Sequence, residues 1–244
     1  MSFYGGYPEY ISVEQQKKKA AKGLKKLSKK GKVLNPLEVS GKKLVTSELA
    51  KLWCSHVEDE IAYCQTRLSK GRSYLRHGSV IHLEINKGIV NAIVSGTDIY
   101  QVEIKVKPLE KQKWQNIQQL CIKNPEYSYQ LFNGELSKQL LDDFLSKKNY
   151  IFPEYNEIDL ECNCYDFYGE ACKHISAVLY GIGVLMDANM QNLFLLRDVN
   201  YEDLLIACTS EINQDLHMPT MNNIINENNL EDLFGIELAT SPHS

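Results

Sequence analysis

From Glu161 to His174 the chain reads ECNCYDFYGEACKH, with three cysteines and one histidine inside thirteen positions. The chain has seven cysteines in 244 residues, and the other four are scattered. Cys162 and Cys164 are two apart, so on extended backbone both sulfurs point the same way. Ile158 and Leu160 lie on one face of a short strand, Glu157 to Leu160, that leads into this pair. Seven residues including Gly169 then give room to reverse the chain before Cys172-Lys173-His174. Beyond these, Ile175, Val178, Leu179, Ile182, Leu185 and Met186 fall at helical spacings and predict a buried helix face. A strand, a reversal and a helix start therefore converge four soft donors on one point.

The donor chemistry narrows what that point can hold. A helix N-terminus carries partial positive charge and favours thiolate at Cys172. Three thiolates and a neutral imidazole form a closed tetrahedral set, which suits one Zn2+. With no position left for water or substrate, such an ion is expected to be structural, held by Cys162, Cys164, Cys172 and His174. Binding of ~10–16 kcal/mol, the range for finger peptides, can hold together a segment too small to bury its own core. The same residues could instead form a redox pair or a nucleophilic cysteine–histidine dyad. A dyad needs an open thiol and an orienting partner, and nothing nearby suggests one. No catalytic residue is expected, since no phosphate-binding glycine loop, G-x-S-x-G or open carboxylate cluster is present.

The run CNCYDFYGEACKHISAVLYGIG resembles the SWIM-type zinc finger, whose pattern is C-x-C, a variable spacer, then C-x-H. GRSYLRHGSVIHLEI, VSGTDIYQVEIKVKPL and NLFLLRDVN also resemble bacterial SWIM proteins of this size, so the likeness covers roughly residues 10–208. It implies zinc ligation by Cys162, Cys164, Cys172 and His174. It also implies service in DNA binding or protein interaction, beside a Swi/Snf-type helicase-like ATPase. One departure lies in the spacer. The family pattern has proline and tryptophan there, roughly C-P-D-W, where this chain has Tyr165, Asp166 and Phe167. Phe167 can supply the packing aromatic, and the ligands are unaffected.

Outside the cluster, period-two runs predict three strands. Ile81, Leu83 and Ile85 alternate with His82 and Glu84. Ile89 to Val94 follow after an Asn86-Lys87-Gly88 turn. Tyr100, Val102, Ile104 and Val106 alternate with polar residues after Ser95-Gly96-Thr97-Asp98. Short turns argue an antiparallel meander with one wet face, on which His82 has no second ligand beside it. Helical spacing is expected over 43–64, 109–122 and 135–147, with Cys121 as a small core residue. Asn200 to Asp203 predicts a capped helix start, and Cys208 packs after it.

Charge is uneven although the formal net is only −4. Residues 1–50 carry eleven lysines against four glutamates, whereas residues 200–244 carry eight acids and no lysine or arginine. Lys17, Lys18, Lys19, Lys25, Lys26, Lys29 and Lys30 suit a phosphate-binding arm or a solvated helix or tail. Arg67, Lys70, Arg72 and Arg76, with His77 and Tyr74 among them, suit a nucleic-acid surface or a basic loop entering a strand. Asp159, Glu161, Asp166 and Glu170 surround the cysteines, and a three-thiolate, one-imidazole zinc centre itself carries formal −1. That surface should repel phosphate, so the finger is expected to face protein. The acidic tail can be disordered or can pair with a basic partner.

The expected fold is α+β: an antiparallel β-meander with helices, then a small treble-like ββα zinc finger and C-terminal helices. The expected division is a basic arm at 1–40, an α+β domain at 41–150, the finger and following helices at 151–208, and an acidic tail at 209–244. The expected function is a non-enzymatic, bacterial, cytoplasmic adaptor with a protein partner and DNA or other nucleic acid nearby, without membrane or small-molecule substrate. No run approaches ~18 apolar residues, and the N-terminus lacks the apolar core of a secretory signal. The alternative is a direct, sequence-nonspecific DNA binder using the basic N-terminal region.

Overall fold

The computed structural model describes residues 12–31, 33–39, 41, 43–60, 65–164 and 171–215. The spacer aromatics Tyr165 and Phe167, Asp166 and Glu170 beside the cysteines, the end of the helix expected to 64, and the tail beyond 215 lie outside those residues.

Ser12 opens α1 (Val13–Ser28) with a capping box, in which its side chain and Gln15 exchange bonds with backbone amides. This satisfies two amides that the first turn would otherwise leave bare. A connection without helix or strand leads to α2 (Glu48–Glu60) and α3 (Gln65–Arg76). Strands β1 (Val80–Asn86), β2 (Ile89–Ser95) and β3 (Ile99–Val106) follow. Helices α4 (Lys111–Lys123), α5 (Pro125–Phe132) and α6 (Lys138–Phe144) come next. A 3-10 turn at Tyr155–Glu157 enters β4 (Ile158–Cys162). Helices α7 (Lys173–Ala188), α8 (Gln191–Leu196) and α9 (Tyr201–Asp215) complete the described residues. No described helix is long and apolar enough to cross a membrane.

The architecture is mixed α and β, with one antiparallel sheet in the order β1-β2-β3-β4. The strand that leads into the cysteine pair is thus a full member of the sheet, pairing Val102 with Cys162 and Ile104 with Leu160. Val90, Ala92, Val94, Val102, Ile104 and Val106 turn inward against α7 and its neighbours, in a core that runs from Leu37 to Cys208. Residues on both sides of position 150 therefore share one apolar interior.

Two features differ from the expected pattern. The basic stretch before β1 is not a loop but a helix, because Leu68 and Leu75 are buried against the core. Gly71 lets α3 approach α7 so closely that a Cβ there would lie 2.5 Å from the Cβ of Ser176. Nor is the outer sheet face uniformly wet. A register break between Val80 and His82 turns Ile81 away from Leu83. Ile81 and Ile93 then pack with Ala20, while Leu24, Leu27, Leu34 and Ile99 close round them. The lysine-rich helix is docked on the sheet through this small cluster.

The free edge of β1 is covered by the segment after α1. Leu37 N donates to Val80 O and Leu83 N donates to Asn35 O. His82 Nδ1 accepts the Asn35 amide at 3.1 Å, so this histidine anchors that segment. Pairing an otherwise open edge in this way protects it from association with other chains.

Candidate metal centre

The four donors come from the end of β4 and the start of α7. Asn163 sits between the first two cysteines and is pinned to β3: its amide donates to Gln101 O at 3.2 Å, and its Oδ1 accepts the Gln101 amide at 2.9 Å. This clamp sets the direction in which Cys162 and Cys164 project. Cys172 is the N-cap of α7, with extended backbone (φ −76°, ψ 170°), and its Sγ accepts the Ile175 amide at 3.4 Å. A thiol so placed does the capping work that serine or aspartate does elsewhere, while facing the other sulfurs.

His174, on the first turn of α7, is 2% exposed. Its ring stacks on Tyr100 of β3 with centroids 3.9 Å apart and planes 18° apart, and Tyr74 of α3 meets it edge-on. Its Nδ1 lies 3.8 Å from both Cys162 Sγ and Cys172 Sγ. One donor atom from each of the four residues lies within 4.8 Å of every other. Around a tetrahedral Zn2+ with Zn–S of about 2.3 Å and Zn–N of about 2.0–2.1 Å, donor separations fall near 3.5–3.8 Å. The observed spacing and donor set fit that ion, with Nδ1 turned towards it. Nε2, buried and without a hydrogen-bond partner among the described residues, faces the other way, towards Gly96.

Among the cysteines with a resolved shift, Cys172 alone is pulled down. The hydrogen bond from the Cys162 thiol, helped by His174 and the Ile175 amide, outweighs burial and lowers the Cys172 pKa to about 3. Cys162 correspondingly holds its proton, which it shares with Cys172. Cys54 is pushed up to about 11, chiefly by burial, and burial likewise raises Cys121 and Cys208. Burial keeps these three as neutral core thiols, whereas at the cluster one proton is held between Cys162 and Cys172.

Charge around the centre is acidic on the outer sheet face. Asp159 and Glu161 project from β4, and Lys105 bridges Glu103 at 2.7 Å and Glu161 at 3.5 Å. Lys173 lies over the Tyr74 ring at 5.5 Å. The basic candidates are disposed differently. Lys17, Lys18, Lys19, Lys25 and Lys26 are exposed on α1, Lys29 is its C-cap, and Lys30 follows. Lys18 pairs with Glu14 at 2.7 Å. On α3, Lys70 and Arg76 are exposed and Arg67 is half-buried. Arg72 is half-exposed but committed to a partner: it bonds Glu58 at 2.7 Å and lies over the Tyr180 ring, whose hydroxyl donates to the same carboxylate. The C-terminal end of α3 meets α1 where Gln16 Oε1 and His77 Nδ1 lie 2.9 Å apart.

Tyr100, Asn163, Gln101 and Tyr74 support the centre but carry no signal of that role in the sequence. Tyr100 reads only as a strand residue. Its stacking on His174 depends on β3 pairing with β4, which no local pattern announces.

The SWIM zinc finger model matches residues 141–181, a span that contains all four donors. With the closed three-sulfur, one-nitrogen cluster, this match supports one structural zinc ion. The chain is also 32% identical over 142 residues to the uncharacterized protein Rv2102 of Mycobacterium tuberculosis, covering 57% of this chain and 51% of that protein. It therefore spans about half the length of the curated relative it matches. No solved structure matches the chain.

Proposed function

We propose that the SWIM zinc finger of this chain serves a non-enzymatic adaptor that works in a nucleic-acid-associated complex, with a helicase-like ATPase as its protein partner. The observation that carries this reading is the closed donor set, two of whose members, Cys172 and His174, are buried. Four protein ligands leave no open coordination position, so the ion's contribution is to fold rather than to chemistry. The finger joins the edge strand of the sheet to the central helix, which makes its surroundings a rigid platform. That platform is net acidic, with Asp159, Glu161 and Glu103 against Lys105, and suits a protein surface bearing lysine or arginine better than phosphate.

The reading is tested by capturing a Swi/Snf-type ATPase with the full-length, zinc-loaded protein. The expected result is capture by the wild type and loss with Asp159→Lys/Glu161→Lys. Equal capture by both proteins would overturn the acidic face as the docking surface.

A second reading is direct, sequence-nonspecific DNA binding, favoured by the docking of α1 with its lysines exposed. It expects tight duplex binding by the isolated protein at ~150 mM salt, abolished by lysine-to-glutamate changes on α1. The adaptor reading expects only weak binding that fades steeply with salt.

A further inference from the structure

We infer that the outer edge of β4 is a strand-addition site. It takes an extended segment of a protein partner in which lysine or arginine alternates with an apolar residue. This deepens the adaptor reading and rests on it, since it says how the partner would be held.

The two ends of the sheet are finished differently. The edge of β1 is paired, by Leu37 N with Val80 O and by Leu83 N with Asn35 O. At the other end, the bonds from Lys107 N to Glu157 O and from Asn163 N to Gln101 O fix the phase of the β3–β4 ladder. In an antiparallel pair, directly opposed residues alternate between exchanging both bonds and exchanging none. Asp159 and Glu161, opposite Lys105 and Glu103, therefore direct their backbone groups at β3. Leu160, between them and opposite Ile104, points its N–H and C=O away from the sheet. Neither group has a hydrogen-bond partner among the described residues. An unpaired edge of this kind is a template for one more strand.

The side chains of β4 say what that strand would carry. Asp159 and Glu161 are exposed on the outer face. Their compensation is partial: Lys105 bonds Glu103 at 2.7 Å and reaches Glu161 only at 3.5 Å. Asp159 has no ion-pair partner among the described residues. Leu160 lies on the core face but is only half-buried, whereas Ile104 opposite it is fully buried. An added residue paired with Leu160 would lie on that face, beside the half-buried Leu160 and Ile158. Its two neighbours would stand on the outer face, across from Asp159 and Glu161. The first position favours an apolar side chain and the other two favour cations.

The same arrangement disfavours a second copy of this chain as the occupant. Two β4 strands paired antiparallel about Leu160 would set Asp159 of each against Glu161 of the other. Like charges directly opposed are destabilising, so the edge rejects itself and accepts a basic strand.

The test uses the full-length, zinc-loaded protein at ~150 mM salt, with backbone amides followed by NMR. Three synthetic peptides are the probes. One has lysine-valine-lysine at its centre, the second is the same peptide with the valine amide N-methylated, and the third has glutamate for both lysines. In the free protein the Leu160 amide should exchange with solvent quickly, and those of Asp159 and Glu161 slowly. The lysine peptide is expected to bind saturably and to slow Leu160 exchange about tenfold or more. N-methylation removes the donor that would face Leu160 O and is expected to weaken binding about tenfold. In Asp159→Lys/Glu161→Lys the preference should reverse, so that the glutamate peptide binds and the lysine peptide does not. Glu84→Lys/Asp98→Lys makes the same change in charge away from this edge and should keep the wild-type preference.

A Leu160 amide already protected in the free protein would overturn the open edge. Equal binding of the lysine peptide and its N-methylated form would overturn strand pairing and leave a contact by charge alone. No binding of the lysine peptide up to ~1 mM would overturn the site as well. ATPase capture is scored separately. Capture that persists when the peptides fail overturns strand addition alone, and peptides that bind without capture overturn the named partner alone.

Discussion

Gly71 of α3 lies against Ser176 of α7 with no room for a side chain. An added Cβ would stand 2.5 Å from Ser176 Cβ, 2.7 Å from Ser176 C and 2.8 Å from Ala177 N. Two of these atoms are backbone of the helix that carries His174, so the crowding cannot be relieved by rotating a side chain. Gly71→Ala is expected to lose about 3 kcal/mol of stability by overpacking, despite the better helix propensity of alanine. Gly23→Ala on α1 is the contrast. Its Cβ would meet the end of the Ile99 side chain at 2.8 Å, which can rotate away. A change below ~1 kcal/mol is expected there. Urea unfolding of both variants measures the difference.

Removing a ligand should remove the metal. His174→Ala and Cys162→Ser are each expected to lose stoichiometric zinc by elemental analysis. Hydrogen exchange should quicken over β4 and the first turns of α7, with a stability loss of about 4 kcal/mol or more. Cys208→Ala and Cys121→Ala, at buried thiols outside the cluster, are expected to keep the metal. A variant lacking Cys162 that retains one zinc per chain and melts unchanged would refute the ligand set.

Asp187, near the end of α7, clamps the start of α2. Its carboxylate accepts the Ser47 amide at 2.6 Å and the Thr46 amide at 3.0 Å. Burial opposes its ionisation, but the hydrogen bonds from Ser47 and then Thr46 outweigh this and hold its pKa below the ordinary 3.8. A carboxylate with a depressed native pKa contributes stability that is complete above its unfolded pKa and is lost as pH falls through the native one. Asp187→Ala is therefore expected to cost ~1–2 kcal/mol at pH 7, as loss of a cap does. The gap from wild type should narrow below pH 3.8. Denaturant titrations at pH 7 and pH 3 check the sign.

Arg197 is fully buried, and its Nη2 donates to Glu157 at 3.0 Å. Its Nε and Nη1 have no hydrogen-bond partner among the described residues. Glu157→Ala would leave a buried cation without its counter-charge, and a loss of about 3–5 kcal/mol is expected. Replacing both partners, as Glu157→Leu/Arg197→Met, should recover most of that loss, because the uncompensated charge goes with the pair. Chemical denaturation of the single and double variants decides it.

Much of the centre was legible in the chain itself. Two cysteines at strand spacing, and a cysteine and histidine opening an apolar helix, specify which side chains can meet one ion. That information is local. The three period-two runs were equally readable, and they appear as β1, β2 and β3. The helices expected over 109–122 and 135–147 appear as α4 and the shorter α6. The basic stretch before β1 was not readable as a helix. Its apolar residues, Leu68, Tyr74 and Leu75, are too few to show a stripe, and Gly71 there looks like a loop residue until α7 is beside it.

The chain alone thus determined the donor set, its valence and the strand and helix that present it, because each depends on residues near one another in sequence. Tertiary structure decided that β4 joins the same sheet as β3, that Tyr100 covers His174, and that α1 docks on the sheet through Ala20, Ile81 and Ile93. Those relationships depend on which apolar faces bury one another across scores of residues. That choice is made by the summed burial of the whole core, and no single segment encodes it.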